Sequence, residues 1–180
     1  MTQAETDFVD AHQYWQHPVF PGNGAWSTVN DRVESTPMVD SPGLGVFPAL
    51  AAIRVAGKPF TVTEYDEPAP GDWRTEALPL LASVAALQDW DAVFVFAYSH
   101  SATFERDHAD SFFDLAADVG QLDLMPAAAR IFLSGAVKPL PAGEPVYVSR
   151  EEALGRAGRD YFNLWNELRG VHGLGADVLL

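Results

Sequence analysis

The amino-acid sequence predicts an α/β protein in which parallel strands alternate with helices. Two observations support this fold class. The first part of the chain alternates between β-rich runs and runs with apolar residues at helical spacing. The last β-rich run, AVFVFAY at 92–98, is continuously apolar, which is typical of a parallel strand buried on both faces. The order strand, helix, strand, helix, strand predicts a parallel sheet joined by right-handed crossovers.

Each element is predicted from its own pattern. In chain order these are a strand at 7–12, a helix at 46–56, a strand at 60–64, a helix at 74–89 and a strand at 92–98. The first helix has Pro48 near its first turn and Gly57 as its stop signal. The second has Leu80, Val84 and Leu87 at helical spacing. Farther along, the pattern predicts a helix at 124–135, a proline-rich connector with a short strand at 137–149, and a helix at 149–170.

Composition and charge exclude several classes of partner and chemistry. Among 180 residues, 11 basic residues against 25 acidic ones give a formal net charge of −14. Such a charge repels phosphate backbones and anionic lipid surfaces, so neither nucleic acid nor a membrane is expected as a partner. The sequence contains no cysteine, which excludes disulfides, thiolate metal sites and cysteine nucleophiles.

Glu64 is the first candidate site residue, because it stands where the second strand should end. In parallel sheets, chemistry gathers at the carboxyl ends of the strands. Strict alternation predicts that Phe60, Val62 and Glu64 share one face, so that the acid at the end of an apolar face points into a pocket. The alternative is an exposed glutamate at the start of a loop.

The end of the first strand supplies further candidates. His12 and Tyr14 have strand parity, so the phenol can hydrogen-bond a neighbouring carboxylate while the imidazole binds a hydroxyl group. Trp15 and Trp26 offer flat apolar faces of the kind that pack against sugar rings. The alternative is a rim of aromatic residues that closes the core. A zinc site of His12 and His17 is disfavoured, because their spacing on a strand-to-loop segment does not converge two imidazoles.

Three other motifs lack the context that their chemistry needs. Ser99 and Ser101 flank His100, but no GxSxG elbow surrounds them. The run PGLG at 42–45 does not have the spacing of a dinucleotide-binding loop. The dipeptide Asn-Glu at 166–167 lies within a helical pattern downstream of Glu64, and we interpret it as coincidence.

The runs FVDAHQYWQHPVFPG, GKPFTVTEYDEPAP and LQDWDAVFVFAYSH resemble the last three strands of a clan A glycoside hydrolase, a superfamily of retaining TIM-barrel enzymes. The resemblance covers about residues 6–135. It implies a partial (β/α)₈ barrel of about three parallel strands with flanking helices at 1–135. The segment 136–180 would then be a linker, a helix and the start of an accessory region.

The resemblance also implies roles for the candidates. Glu64 matches the nucleophile, and Tyr14 matches the residue that orients it. His12, Trp15, Trp26 and Tyr98 would bind the substrate, a β-glycoside or oligosaccharide, and neither metal nor cofactor is expected. Many members have a tryptophan on the last strand, where this chain has Phe96 and Tyr98.

The same comparison predicts that half of the active site lies elsewhere. A complete barrel needs about 250 residues and eight strands. Retaining hydrolysis needs two carboxyl groups, and the family's acid/base comes from strand four. We therefore expect a C-terminal part of a glycosidase that is inactive alone and that pairs with the missing barrel half or with itself. The alternatives are a noncatalytic carbohydrate-binding or interaction module, and a self-contained small α/β domain with unrelated chemistry.

Overall fold

The computed structural model describes residues 5–21, 30–41, 45–103, 105, 107–141, 145, 147, 149 and 151. Within these residues, one parallel sheet has the strand order β1 (Val9–Tyr14), β2 (Phe60–Asp66) and β3 (Ala92–Val95). The helices are α1 (Phe47–Ala52), α2 (Ala77–Leu87) and α3 (Val119–Leu133), with short 3₁₀ helices at Arg74–Glu76 and Leu115–Ala117. The predicted α/β class, with parallel strands and flanking helices, is confirmed. None of the helices described is long and apolar enough to cross a membrane.

The main core lies between one face of the sheet and the helices α1 and α2. Its largest fully buried side chains include Phe60 and Tyr65 from β2, Phe47 and Leu50 from α1, and Leu81 from α2. Burial of each large apolar side chain contributes about 1.5–3 kcal/mol to the free energy of unfolding. The opposite face of the sheet has no helix of the described residues against it, and this open face holds the candidate site.

The element boundaries differ from the predicted ones in two instructive places. Helix α3 begins at Val119 rather than at 124, because the Asp118 side chain accepts a hydrogen bond from the Gln121 backbone N–H (3.0 Å) and caps the helix. Pro126 therefore lies inside the helix instead of at its start. The helix predicted at 149–170 lies almost entirely outside the described residues.

Strand β3 is not buried on both faces as its apolar sequence predicted. Val93 and Val95 face a cleft between the sheet, α2 and α3, whereas Phe94 points the other way and is 56 % exposed. The strand pairs only with β2 among the described residues, so it forms an edge of the sheet. Phe94 thus leaves an apolar ring exposed on the open face of the sheet.

A β-bulge in β2 changes which way Glu64 points. Ala11 pairs with Val62, but the next residue of β1, His12, pairs with Glu64, so Thr63 is the extra residue. Phe60, Val62 and Tyr65 are fully buried, while Thr63 and Glu64 are both half-buried. The prediction that Glu64 shares a face with Phe60 and Val62 was wrong, because the bulge turns Glu64 to the open face. Bulges of this kind commonly re-aim a side chain beside a functional site.

Tyr65 provides a test of this packing. Its ring is fully buried and stacks on Phe47, with the ring centroids 5.8 Å apart, but its hydroxyl has no hydrogen-bond partner among the described residues. Replacement of Tyr65 by Phe should keep the ring contacts and remove an unpaired buried hydroxyl. We expect the free energy of unfolding, measured by urea denaturation, to stay the same or rise by up to about 1 kcal/mol. A loss of stability would show that the hydroxyl is paired.

Candidate functional site

The carboxyl ends of β1 and β2 bring His12, Tyr14 and Glu64 together on the open face. The Tyr14 hydroxyl donates a hydrogen bond of 2.5 Å to Oε2 of Glu64. Nδ1 of His12 lies 3.4 Å from the same oxygen. Both partners contact Oε2, and the other oxygen, Oε1, makes no hydrogen bond within the described residues. The structure thus joins three of the residues that the sequence singled out.

Three polar residues, Asp10, Thr61 and Thr63, form a hydrogen-bond network beside His12. Asp10 accepts hydrogen bonds from the hydroxyls of Thr61 (2.7 Å) and Thr63 (2.6 Å). The Thr63 hydroxyl also lies 3.0 Å from Nε2 of His12. Burial works to raise the pKa of Asp10, but the hydrogen bonds from Thr61 and Thr63 outweigh it and the pKa lies below its usual range. Asp10 is therefore an anion that, with Thr63, fixes the edge of the imidazole.

Tyr14 is a permanent hydrogen-bond donor in this arrangement. Burial raises the pKa of its phenol well above the ordinary value, and the hydrogen bond to Glu64 and the negative charge of that carboxylate raise it further. The phenol therefore keeps its proton throughout the neutral range. It holds Oε2 in place and so orients the whole carboxylate.

Glu64 lines a cavity of about 540 Å³, a volume typical of sites for small ligands. Its walls are largely aromatic and come from Tyr14, His17, Phe96, His100 and the loop 110–113. The ring of Tyr14 lies against those of Phe113 and Phe96, with centroid distances of 4.6 and 6.1 Å. The site thus combines a carboxylate with largely aromatic walls in one open cavity.

The loop 110–113 owes its position to backbone hydrogen bonds with the segment that follows β3. The Ala97 N–H donates to the Phe113 carbonyl (2.8 Å), and the Leu115 N–H donates to the Ala97 carbonyl (3.0 Å). Sequence reasoning missed Phe112 and Phe113 as cavity residues, because they have no strand or helix periodicity. It considered His17 and His100 only as parts of other motifs, whereas both line the cavity.

Of the predicted binding residues that the structure describes, His12, Trp15 and Tyr98 do not line this cavity, although His12 contacts Glu64 at its edge. The Trp15 indole packs against the core, and its Nε1–H donates to the Thr36 carbonyl (2.9 Å), so it lies on the other side of the strand end. Tyr98 is 56 % exposed and does not line the cavity, where Phe96 takes the place predicted for an aromatic of the third strand. Trp26 lies outside the described residues.

Two buried carboxyl groups follow Glu64 along the chain but point away from the cavity. Asp66 and Glu67 are 0 % and 3 % exposed. Burial raises the pKa of Asp66 to about 7, although Arg74 and a hydrogen bond from Gln121 oppose the shift. Burial, together with the charges of Glu76 and Asp66, raises the pKa of Glu67 to about 8. Asp66 and Glu67 therefore lie in the packed interior beside the site and not on its open face.

The described residues contain no cluster of three or more histidine and acidic side chains that could hold a metal ion. Searches against protein families, curated proteins and solved structures found no match to this chain.

Proposed function

We propose that this chain is the C-terminal part of the TIM barrel of a retaining β-glycosidase, in which Glu64 is the nucleophile. One observation carries the proposal: a strand-end carboxylate, held by the Tyr14 hydroxyl at 2.5 Å, opens into an aromatic cavity of about 540 Å³. Aromatic walls suit the C–H faces of a sugar ring, and carboxylate and imidazole groups suit its hydroxyls. The site lies at the carboxyl ends of parallel strands, where barrel enzymes hold their chemistry.

The geometry suggests which atom attacks. Because Tyr14 and His12 both contact Oε2, we assign Oε1 as the oxygen that bonds to the anomeric carbon. As that bond forms, the bond to the leaving group breaks, and the leaving oxygen takes a proton from the acid/base of the remaining barrel. Water then attacks the glycosyl ester with the same acid/base accepting its proton, and Glu64 is released as a carboxylate. Tyr14 donates its hydrogen bond throughout, and we assign His12, which is exposed beside Glu64, to a hydroxyl of the sugar.

The open face of the sheet supports the assignment to a barrel. Strand β3 forms an edge, and Phe94, 56 % exposed, lies on the face that the interior of a closed barrel would bury. In the complete barrel the remaining strands would cover this face. When those strands are missing, a second copy of this chain would cover it instead. We therefore expect the 180-residue chain to self-associate and to hydrolyse no glycoside alone.

The experiment restores the barrel. The chain is expressed with the coding region upstream of it, or together with a homologous N-terminal barrel half, and is assayed with 4-nitrophenyl β-glycosides of glucose, galactose, mannose and xylose. We expect hydrolysis of at least one, and the first product seen by proton NMR should have the β configuration of the substrate. A first product of α configuration, or a folded complete barrel that hydrolyses none of them, would contradict the proposal.

A noncatalytic sugar-binding module is the second candidate function. The observation in its favour is that the aromatic cavity is assembled from residues of this chain. A module of this kind would bind the methyl β-glycosides of the same four sugars, yet the complete barrel would not hydrolyse their aryl counterparts. The barrel assay thus separates the two candidates.

Replacement of Tyr14 by Phe is expected to lower kcat/KM of the complete barrel about 10–100-fold. The ring packing is kept, but Oε2 of Glu64 loses the donor that orients it. Steady-state kinetics with the best aryl β-glycoside measures the effect. The matched control is Tyr65→Phe, which makes the same chemical change in the core one residue from Glu64. Equal kinetics for the two variants would remove Tyr14 from the mechanism.

A further inference from the structure

A buried aspartate holds a histidine at a second place on the cavity wall. Asp114 is fully buried and accepts hydrogen bonds from the backbone N–H of His100 (2.8 Å), Asp110 (3.0 Å) and Ser111 (3.2 Å). Oδ1 of Asp114 also lies 2.7 Å from Nδ1 of the His100 ring. Burial works to raise the pKa of Asp114, but the hydrogen bonds from the His100 side chain and backbone outweigh it and the pKa falls below its usual range.

This contact determines the role of each ring nitrogen of His100. An ionised carboxylate only accepts hydrogen bonds, so Nδ1 must carry the proton that points at Asp114. In the neutral imidazole, Nε2 is then an acceptor. Among the described residues Nε2 has no hydrogen-bond partner, although the side chain, 36 % exposed, lines the cavity. The packing of the ring edge-on to Phe96 at 5.3 Å further limits its rotation.

The fixed imidazole and Glu64 line the same cavity, and the Phe96 ring packs beside both His100 and Tyr14. The Phe96 ring is 5.3 Å from His100 and 6.1 Å from Tyr14, the hydrogen-bond partner of Glu64. A ligand that packs on this aromatic wall can therefore contact both the Glu64 carboxylate and the preoriented imidazole of His100. Preorientation matters because the ligand then spends no binding energy on ordering that side chain.

We propose that His100, positioned by Asp114, binds a ring hydroxyl of the sugar that occupies the Glu64 cavity, with Nε2 as the contacting atom. This inference rests on the proposed function for the class of ligand. In small-ligand sites, a few polar atoms within largely apolar walls set the orientation and specificity of the ligand. Nε2 of His100 is such an atom, because the side chain is fixed and lies in a largely aromatic cavity. His100 is thus a second polar anchor, and Asp114 is a positioning residue that acts through it.

Protein NMR on the 180-residue chain tests the contact directly. The chain is labelled with ¹⁵N-histidine and titrated with the methyl β-glycosides of glucose, galactose, mannose and xylose. We expect at least one sugar to shift the Nε2 resonance of His100 in a saturable way. Tetrahydropyran, which has the same ring without hydroxyls, should leave that resonance in place. No shift with any of the four sugars, or an equal shift with tetrahydropyran, would overturn the inference.

Substitutions of His100 distinguish the effect of its hydrogen-bonding nitrogen on sugar affinity from the effect of its flat ring. His100→Phe keeps a flat ring and should weaken the best sugar about 10-fold, whereas His100→Gln, which keeps a hydrogen-bonding group, should weaken it less. His108→Gln is the matched control, because His108 is exposed and does not line the cavity. In Asp114→Asn the ¹⁵N shifts of His100 should show a mixture of tautomers, which a merely structural role would not produce. Far- and near-ultraviolet circular dichroism confirms that each variant is folded.

The outcomes distinguish this inference from the proposed function. Wild-type affinity in a folded His100→Phe variant removes the role of His100, even if Glu64 proves essential for hydrolysis by the complete barrel. Conversely, sugars that bind through His100 while the complete barrel hydrolyses no glycoside would leave the anchor in place and overturn the glycosidase.

Discussion

Replacement of Glu64 by Gln is expected to lower the hydrolysis of aryl β-glycosides by the complete barrel about 10⁴-fold or more. The amide is nearly isosteric and can still accept the hydrogen bond from Tyr14, so the cavity keeps its shape. It is a poor nucleophile, however, and the glycosyl ester cannot form at the normal rate. Initial rates with the best 4-nitrophenyl β-glycoside measure the loss.

The matched control for this prediction is Glu34→Gln, the same change at an exposed position away from the cavity. It should keep wild-type activity. A smaller variant, Glu64→Ala, provides a second test: azide can enter the vacated space, attack the anomeric carbon and yield a glycosyl azide of inverted configuration. Glu64→Gln activity within 10-fold of wild type would exclude Glu64 as the nucleophile, as would Glu64→Ala that azide does not rescue.

The second large effect concerns stability, which is expected to fall between pH 5 and pH 8. Folding raises the pKa of Asp66 from an ordinary 3.8 to about 7 and that of Glu67 from 4.5 to about 8, chiefly because both are buried. At pH values between the ordinary and the raised pKa, the folded chain holds protons that the unfolded chain has released. The stability that these protons confer is fully present below about pH 4 and is lost as the pH rises through 7–8.

The opposite sign holds for carboxyl groups whose pKa folding lowers. Asp10 and Asp114 stabilise the fold as anions, so their contribution is lost as the pH falls below the ordinary value of 3.8. The two effects together place the stability maximum near pH 4–5. Thermal unfolding followed by circular dichroism across pH 3–9 measures the profile. A Tm that rises steadily from pH 5 to pH 8 would contradict the assignment.

Replacement of Glu67 by Gln tests the group with the higher of the two raised pKa values. The variant removes a buried carboxyl that must ionise or hold a proton, so at pH 8 it should be more stable than wild type by about 2 kcal/mol, or roughly 5 °C in Tm. At pH 5 the gain should shrink, because wild-type Glu67 is then protonated in the folded chain. Glu34→Gln relieves the same unit of the −14 net charge at the surface and should show no such pH dependence. Equal gains for Glu67→Gln at both pH values would count against a buried, proton-holding side chain.

The sheet could be predicted from the sequence because its signals are local. The β-rich runs, the helical run through Leu80 and Val84, and their alternation specify parallel pairing without any knowledge of distant contacts. The parity of His12 and Tyr14 likewise predicted that both rings point the same way and that the phenol can hydrogen-bond a neighbouring carboxylate. Exposure of Phe94 could not be predicted in this way, since an apolar run has the same sequence whether or not neighbouring strands cover it.

The cavity was less predictable than the strands because it depends on long-range contacts. His100 and Asp114 are 14 residues apart, and their hydrogen bond forms only after the loop 110–113 returns to the strand ends. Trp15 was misplaced for a related reason. Its indole finds the Thr36 carbonyl, 21 residues away in an irregular segment that has no periodic pattern. Short-range patterns contain no information about such pairs.

The bulge at Thr63 makes the number of residues in β2 as important as their identity. If the same residues followed strict alternation without the bulge, Glu64 would lie in the layer that Phe60 and Tyr65 now fill. A single-residue insertion or deletion before the bulge would therefore be more damaging than most substitutions, because it exchanges the faces of the residues between it and the bulge. Deletion of Thr63 itself is the exception, because it would leave Glu64 and Tyr65 on their present faces and would instead remove the hydroxyl that contacts Asp10 and His12.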